Sequence, residues 1–230
     1  MRVTFFALPL LFGLIGLEDA VVQAQVPPSA AEIAAYGGLH AAAAKGNVAQ
    51  LRQLVEQRVE LERRDGHGRT ALHVVAHFSH HAFVRELAKA GADMRAQDSR
   101  RYDIITIAAV RNDVEMVRTA ISLGADPRAI TSPYDGTALI AAAHLGHAEV
   151  VRTLIAAGAP LDHVNNLGWT AVIEAVVLGN GGKPHQDTLQ ALLDGGADAE
   201  LADRDGIRPL EHAKRRGYVE MIRMLSAVQK

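Results

Sequence analysis

A repeat period governs what this chain can fold into. The tripeptide Gly91-Ala92-Asp93 returns as Gly124-Ala125-Asp126, Gly158-Ala159-Pro160 and Gly196-Ala197-Asp198, at spacings of 33, 34 and 38 residues. Ahead of these lie four matching helix starts: Thr70-Ala71-Leu72-His73, Asp103-Ile104-Ile105-Thr106, Thr137-Ala138-Leu139-Ile140 and Thr170-Ala171-Val172-Ile173. A fifth start, Arg208-Pro209-Leu210-Glu211, leads into Gly217-Tyr218-Val219-Glu220. A chain with such a period does not build one central core. Each unit has to bury its apolar face against the units beside it.

The stretch Thr137–Pro160 shows what one unit is. The Thr137 hydroxyl can accept a backbone N–H that has no intrahelical partner, so it starts a helix. Ala138–His144 carries small apolar residues at helical spacing, and Gly146 breaks the run. Ala148–Ala156 is a second helix with Val150, Val151, Leu154 and Ile155 on one face. Gly158 ends it, because glycine enters the left-handed region without steric cost. Helices this short are not stable alone.

Period, cap, terminating glycine and helix lengths together resemble the ankyrin repeat, over roughly Leu39–Val228. The resemblance implies an all-α repeat solenoid of paired antiparallel helices joined by β-hairpin loops. It also implies that hairpins and first helices line a concave surface that binds other proteins. Asp65-Gly66, Asp135-Gly136 and Asp205-Gly206 are turn signals that suit such loops. The expected units are 37–64, 65–97, 98–130, 131–164, 165–202 and 203–230. The first and last depart from the pattern, as terminal caps do. Gly37-Gly38 stand where the first cap belongs, and Arg58 replaces a terminating glycine. The fifth unit carries five extra residues, Asn180–Pro184, expected as a flexible, removable loop.

Residues 1–24 stand outside the array. Arg2 is followed by Val3–Leu17 without a charge, and Val22-Gln23-Ala24 offers small residues at the positions a signal peptidase reads. The run is shorter than the roughly 20 residues of a spanning helix. The expectation is a cleaved leader, a periplasmic or secreted protein and no membrane association afterwards. Residues 25–36 are expected as a linker and leading turn, with Pro27-Pro28 holding off any helix before Ser29. Without Arg2, Glu18 and Asp19 the formal charge moves from −2 to −1, which gives no global attraction to nucleic acid. The chain has no cysteine, which excludes disulfides and a lipid-modified cysteine anchor.

Few residues suggest chemistry. His73 and His77 have the i, i+4 spacing of a metal chelate. The family resemblance instead gives His73 a structural role, tying loop to helix, with His80 and His147 at a second recurring position. Gly179-Asn180-Gly181-Gly182-Lys183 lacks the preceding strand of a phosphate loop, and Pro184 stands where Ser or Thr is needed. No serine lies in a Gly-x-Ser-x-Gly turn. The reading is a non-catalytic module with no cofactor and no metal, expected as a monomer. A histidine-based metal protein is the alternative of another class. An inhibitor or immunity protein that blocks an enzyme or toxin is the alternative of the same class.

The resemblance places partner contacts at hairpin tips, at the residue before each cap and at the end of each first helix. Here those positions hold Arg69, His77, Phe78, Arg100, Tyr102, Arg111, Tyr134, His144, Leu145, Trp169 and Leu178. Four aromatics from consecutive units, Phe78, Tyr102, Tyr134 and Trp169, are expected in a row. Arg69, Arg100 and Arg111 are expected to make one end of the groove basic.

Overall fold

A computed structural model describes residues 25–228; the expected leader, residues 1–24, lies outside the described residues. Thirteen helices are found among them. A single-turn lead helix, α1 (Ala30–Ala35), precedes six pairs. These are α2 (Gly38–Lys45) with α3 (Val48–Glu56), α4 (Ala71–His77) with α5 (His81–Lys89), and α6 (Ile104–Val110) with α7 (Val114–Ser122). Then follow α8 (Ala138–His144) with α9 (Ala148–Ala156), α10 (Ala171–Val177) with α11 (Lys183–Asp194), and α12 (Pro209–Arg216) with α13 (Val219–Ala227).

The pairs stack in sequence order. First helices pack in one layer, α2 against α4 and so on to α12. Second helices pack in a parallel layer, α3 to α13. The core lies between the layers: Leu139, Val150, Val151, Leu154 and Leu189 are all fully buried.

Local chemistry sets the helix ends. Thr137 and Thr170 hydroxyls accept from the N–H of Ile140 and Ile173, each at 3.3 Å, and the Asp103 carboxylate accepts from Thr106 N–H at 2.8 Å. Gly91 and Gly124 leave their helices with φ of 93° and 103°. Arg58 takes the same left-handed step at φ 57° without glycine's freedom.

The loops between pairs are hairpin-shaped but hold no strand among the described residues, only an isolated bridge between Ile130 and Thr137. A buried or half-buried Asx residue builds four of them instead, and in the fifth the Ser132 hydroxyl accepts from Tyr134 and Gly136 N–H. Asp65 Oδ1 accepts from the N–H of His67 and Arg69, and Asp98 Oδ1 from Arg100 and Tyr102. Asn165 Oδ1 accepts from Leu167 and Trp169, and Asp203 Oδ1 from Asp205 and Ile207. Each loop then closes through one backbone bond, such as Asn165 N–H to Trp169 C=O at 3.0 Å. The side chain satisfies the N–H groups that a strand partner would otherwise take.

The extra residues of the fifth unit are not a free loop. Lys183 and Pro184 add an N-terminal turn to α11, which runs 12 residues against 9 in α9. Gly181 (φ 70°) lies against the Tyr218 ring, leaving no room for a side chain, and Tyr218 OH donates to Gly179 C=O at 2.9 Å. The insertion is packed between the fifth and sixth units, so its removal takes contacts with it.

Candidate functional site

On the face formed by first helices and loops, the third to fifth units enclose a cavity of about 50 Å³. No second helix contributes to it. Tyr102, Tyr134 and Trp169 come from three successive loops. Thr106 and Val110 come from α6, Ile140 and His144 from α8, and Glu174 from α10, with Leu178 just beyond its end. The wall is mostly apolar, and its aromatic groups keep unused hydrogen-bonding capacity. Among the described residues, the Tyr102 and Tyr134 hydroxyls and the Trp169 indole N–H make no hydrogen bond. Burial, and then the nearby Tyr134, push the Tyr102 phenol up to about 12, so it stays a donor.

One polar cluster forms the floor. Glu174 Oε2 accepts from His144 Nδ1 at 3.1 Å, and Glu174 Oε1 accepts from Asn165 Nδ2 at 2.9 Å. Both members of the His144–Glu174 pair are buried. Burying a carboxylate is tolerable only with its oxygens paired, as these are. Sequence reasoning missed Glu174 and Asn165. The signal was present: in the three preceding units the positions equivalent to Glu174 hold Val74, Ile107 and Ala141, so a carboxylate there interrupts an apolar stripe.

The predicted contact residues separate into two groups. Tyr102, Tyr134, His144, Trp169 and Leu178 meet around the cavity. Arg69, His77, Phe78, Arg100, Arg111 and Leu145 do not line it. Tyr102 lines it while being 4% exposed, so the pocket offers one side of that ring rather than a projecting side chain. Phe78 packs on the core and stacks on His80 at 6.0 Å between ring centroids.

Two expectations need correction. Arg69 does not make the groove basic. It is 2% exposed, its Nε donates to Asp65 Oδ2 at 2.7 Å, it pairs with Glu32, and its Nη1 reaches Val26 C=O at 3.2 Å. Its charge is used inside the molecule, so that of the three predicted cations only Arg100 and Arg111 are exposed. His77 is not an outer contact either: it is buried, and burial followed by the Arg69 and Arg111 charges lowers it to about 3.

Four other histidines act within the fold. Thr70 N–H donates to His73 Nδ1 at 3.1 Å, and His73 Nε2 donates to Tyr102 C=O at 3.1 Å. Both ring nitrogens are engaged, and burial lowers the imidazole to about 4, so the His73–His77 spacing does not form a chelate. His80, His147 and His185 reach the carbonyls of Ala44, Ala109 and His144 in the preceding units. Among the described residues no three potential ligands converge on one point.

Trp169 also borders a second, wider cavity of about 650 Å³ toward the sixth unit, with Ile207, His212, Arg215 and Tyr218 on its far side. The sequence reading stopped short of these residues. Ile207 holds the same place before its cap as Trp169 does before Thr170, which was the available sign.

A two-layer stack of helix pairs with Asx-built loops defines a repeat solenoid. The sequence model for ankyrin repeats matches residues 35–98 and 104–194, and the chain belongs to the ankyrin repeat family. The ankyrin repeat protein YahD of Escherichia coli K12 is 38% identical over 95 residues, 41% of this chain and 47% of YahD. The chain thus matches about half the length of that relative. Among solved structures, an ankyrin repeat domain from Acinetobacter baumannii AYE is 42% identical with a TM-score of 0.78, covering 82% of this chain and 96% of that one. The ankyrin repeat domain of Bcl-3, a member of the IkappaB family, is 28% identical with a TM-score of 0.75, covering 84% and 86%. Ankyrin repeats are in general protein–protein interaction modules, typically without catalytic activity. Among the described residues no helix is long and apolar enough to cross a membrane.

Proposed function

We propose that this protein is an exported, non-catalytic binding module that captures a partner protein on its first-helix and loop face, between the third and sixth units. The cavity around Trp169 carries the reading. It presents an indole and two phenols with unused hydrogen-bonding groups on an apolar wall. Tyr and Trp in such a setting are the usual anchors of protein interfaces. Export rests on the leader pattern of residues 1–24, and places the partner in the periplasm or outside the cell.

Cross-linking in intact cells followed by mass spectrometry tests the binding reading. A partner captured by wild type and lost by Trp169→Ala, with circular dichroism unchanged, is the expected result. Retention of every partner by a Trp169→Ala chain that melts early would make the indole core packing and remove the proposed surface. N-terminal sequencing tests export: a chain beginning at Gln25 is expected, and Met1 retained on cytosolic protein overturns it.

A further inference from the structure

One wall of the cavity comes from ahead of the repeats. Gln25 lines it together with Tyr102, Tyr134 and Trp169, although it lies nearly eighty residues from the first of the pocket's other walls. The segment behind Gln25 carries no regular secondary structure before α1. Proline at 27 and 28 fixes φ and biases each preceding residue to extended backbone, so the segment crosses the face without helical turns. Its anchorage begins at the residue after Gln25. Arg69 Nη1 holds Val26 C=O at 3.2 Å, Pro28 is buried, and Glu32 of α1 pairs with Arg69. Glu32 also accepts from Ser29 N–H at 2.8 Å, completing the α1 capping box. Arg69 is thereby explained: its charge, missing from the groove surface, is the clasp for this segment.

Gln25 fits this place imperfectly. The amide oxygen of Gln25 is shielded from solvent with no hydrogen-bond partner. A buried acceptor without a donor opposes the placement, so Gln25 is held there by the clasp behind it more than by its own contacts. A ligand that brings a donor to that point makes the bond Gln25 misses. The apolar wall disfavours a charged side chain, since the floor carboxylate is already paired by His144 and Asn165.

We propose that Gln25, held by the clasp behind it, is a resident, displaceable wall of the Trp169 pocket, and that an extended segment of a partner binds there by displacing it and placing an uncharged side chain on the apolar wall. The inference rests on the binding reading above and adds the chemistry of what enters the pocket.

Two properties of the sequence make it testable. Trp169 is the only tryptophan, and no cysteine is present. In the full chain, Glu32→Ala opens the clasp while leaving Arg69 paired with Asp65. Its Trp169 emission should shift to longer wavelength, and a synthetic peptide of residues 25–36 should shift it back. Because the resident competes, that peptide should bind wild type at least about tenfold more weakly than the variant. Unchanged emission, or equal peptide affinity for both proteins, overturns the proposal. If Glu32→Ala melts early, a second measurement decides. A bimane on Gln25→Cys, in an otherwise native chain, should be quenched, and should brighten when Trp169→Phe is added. Equal brightness on both backgrounds places Gln25 away from the indole and overturns the proposal. Neither measurement uses a partner. Their failure leaves the binding reading standing, whereas partner capture that ignores Trp169→Ala with the quench intact removes the binding reading alone.

Discussion

Arg69 and Trp169 hold the same place in their units, one residue before the capping threonine, and their loops are built alike. The N–H of Arg69 donates to Asp65 Oδ1 at 2.9 Å, and that of Trp169 to Asn165 Oδ1 at 3.0 Å. The environments then diverge because one Asx is charged and the other is not. The second oxygen of Asp65 draws the Arg69 guanidinium back over the loop, where Glu32 completes the pairing. Burial alone would raise the Asp65 carboxyl, but hydrogen bonds from Tyr36 and Arg69 outweigh it and hold it at about 2. Asn165 has no charge to offer. Its Nδ2 turns to Glu174 instead, and Trp169 is left facing the pocket with its N–H unused. One backbone frame thus produces a closed polar clasp at one end of the face and a receptive apolar site at the other. The solenoid fixes where a side chain starts, and its polar neighbours decide whether it is available.

Removing the clasp should give the largest stability effect. Arg69→Met leaves the Asp65 and Glu32 carboxylates without their cation and should cost about 3–5 kcal/mol. A urea midpoint within error of wild type would show that the network is solvated. The buried imidazoles of the same end predict acid sensitivity. His73 and His77 sit at about 4 and about 3 when folded, below their ordinary value of 6.5. Below pH 6.5 the unfolded chain binds protons that the folded chain refuses, so stability is full above 6.5 and falls as pH drops toward 4. His77→Leu should flatten that fall by about 3 kcal/mol at pH 4. Parallel pH profiles for the two proteins would mean that His77 titrates alike in both states.

Asn165→Asp makes the receptive loop imitate the clasp loop. It removes the donor to Glu174 and sets two carboxylates together, and should cost about 1–3 kcal/mol at neutral pH, recovering in acid. A stability loss with no pH dependence would point to loop geometry rather than charge. Trp169→Ala should act mainly on binding, costing a partner about 2 kcal/mol of affinity. Titration calorimetry against the cross-linked partner reads it, and an unchanged Kd would break the contrast with Arg69. Arg100→Ala, at an exposed loop tip, should change stability by less than about 0.5 kcal/mol. It should reduce association rate at low salt, because rim charges act on encounter. A loss that persists at high salt would place Arg100 inside the contact.

Much of this molecule follows from sequence period and local chemistry. The helix pairs are legible because caps such as Thr137 and Thr170, left-handed steps such as Gly91 and Gly124, and apolar faces such as Val150, Val151 and Leu154 act within a few residues. The stacking is legible because so short a helix pair has nowhere else to bury its face. Five of the eleven candidate contact residues meet at one cavity because register alone places them.

What the period does not encode is pairing between units and with the segment ahead of them. The burial of Arg69 depends on Glu32, 37 residues before it, and the His144–Glu174 pair joins residues 30 apart. The Asn180–Pro184 insertion reads as spare loop until Tyr218 of the next unit is seen against it. The sequence determined the scaffold, because hydrophobic period and capping are local and repeated. The tertiary structure decided which side chains of that scaffold are spent within the molecule and which remain to bind. That choice is made by single, non-repeating contacts between charges and hydrogen-bonding groups far apart in the chain.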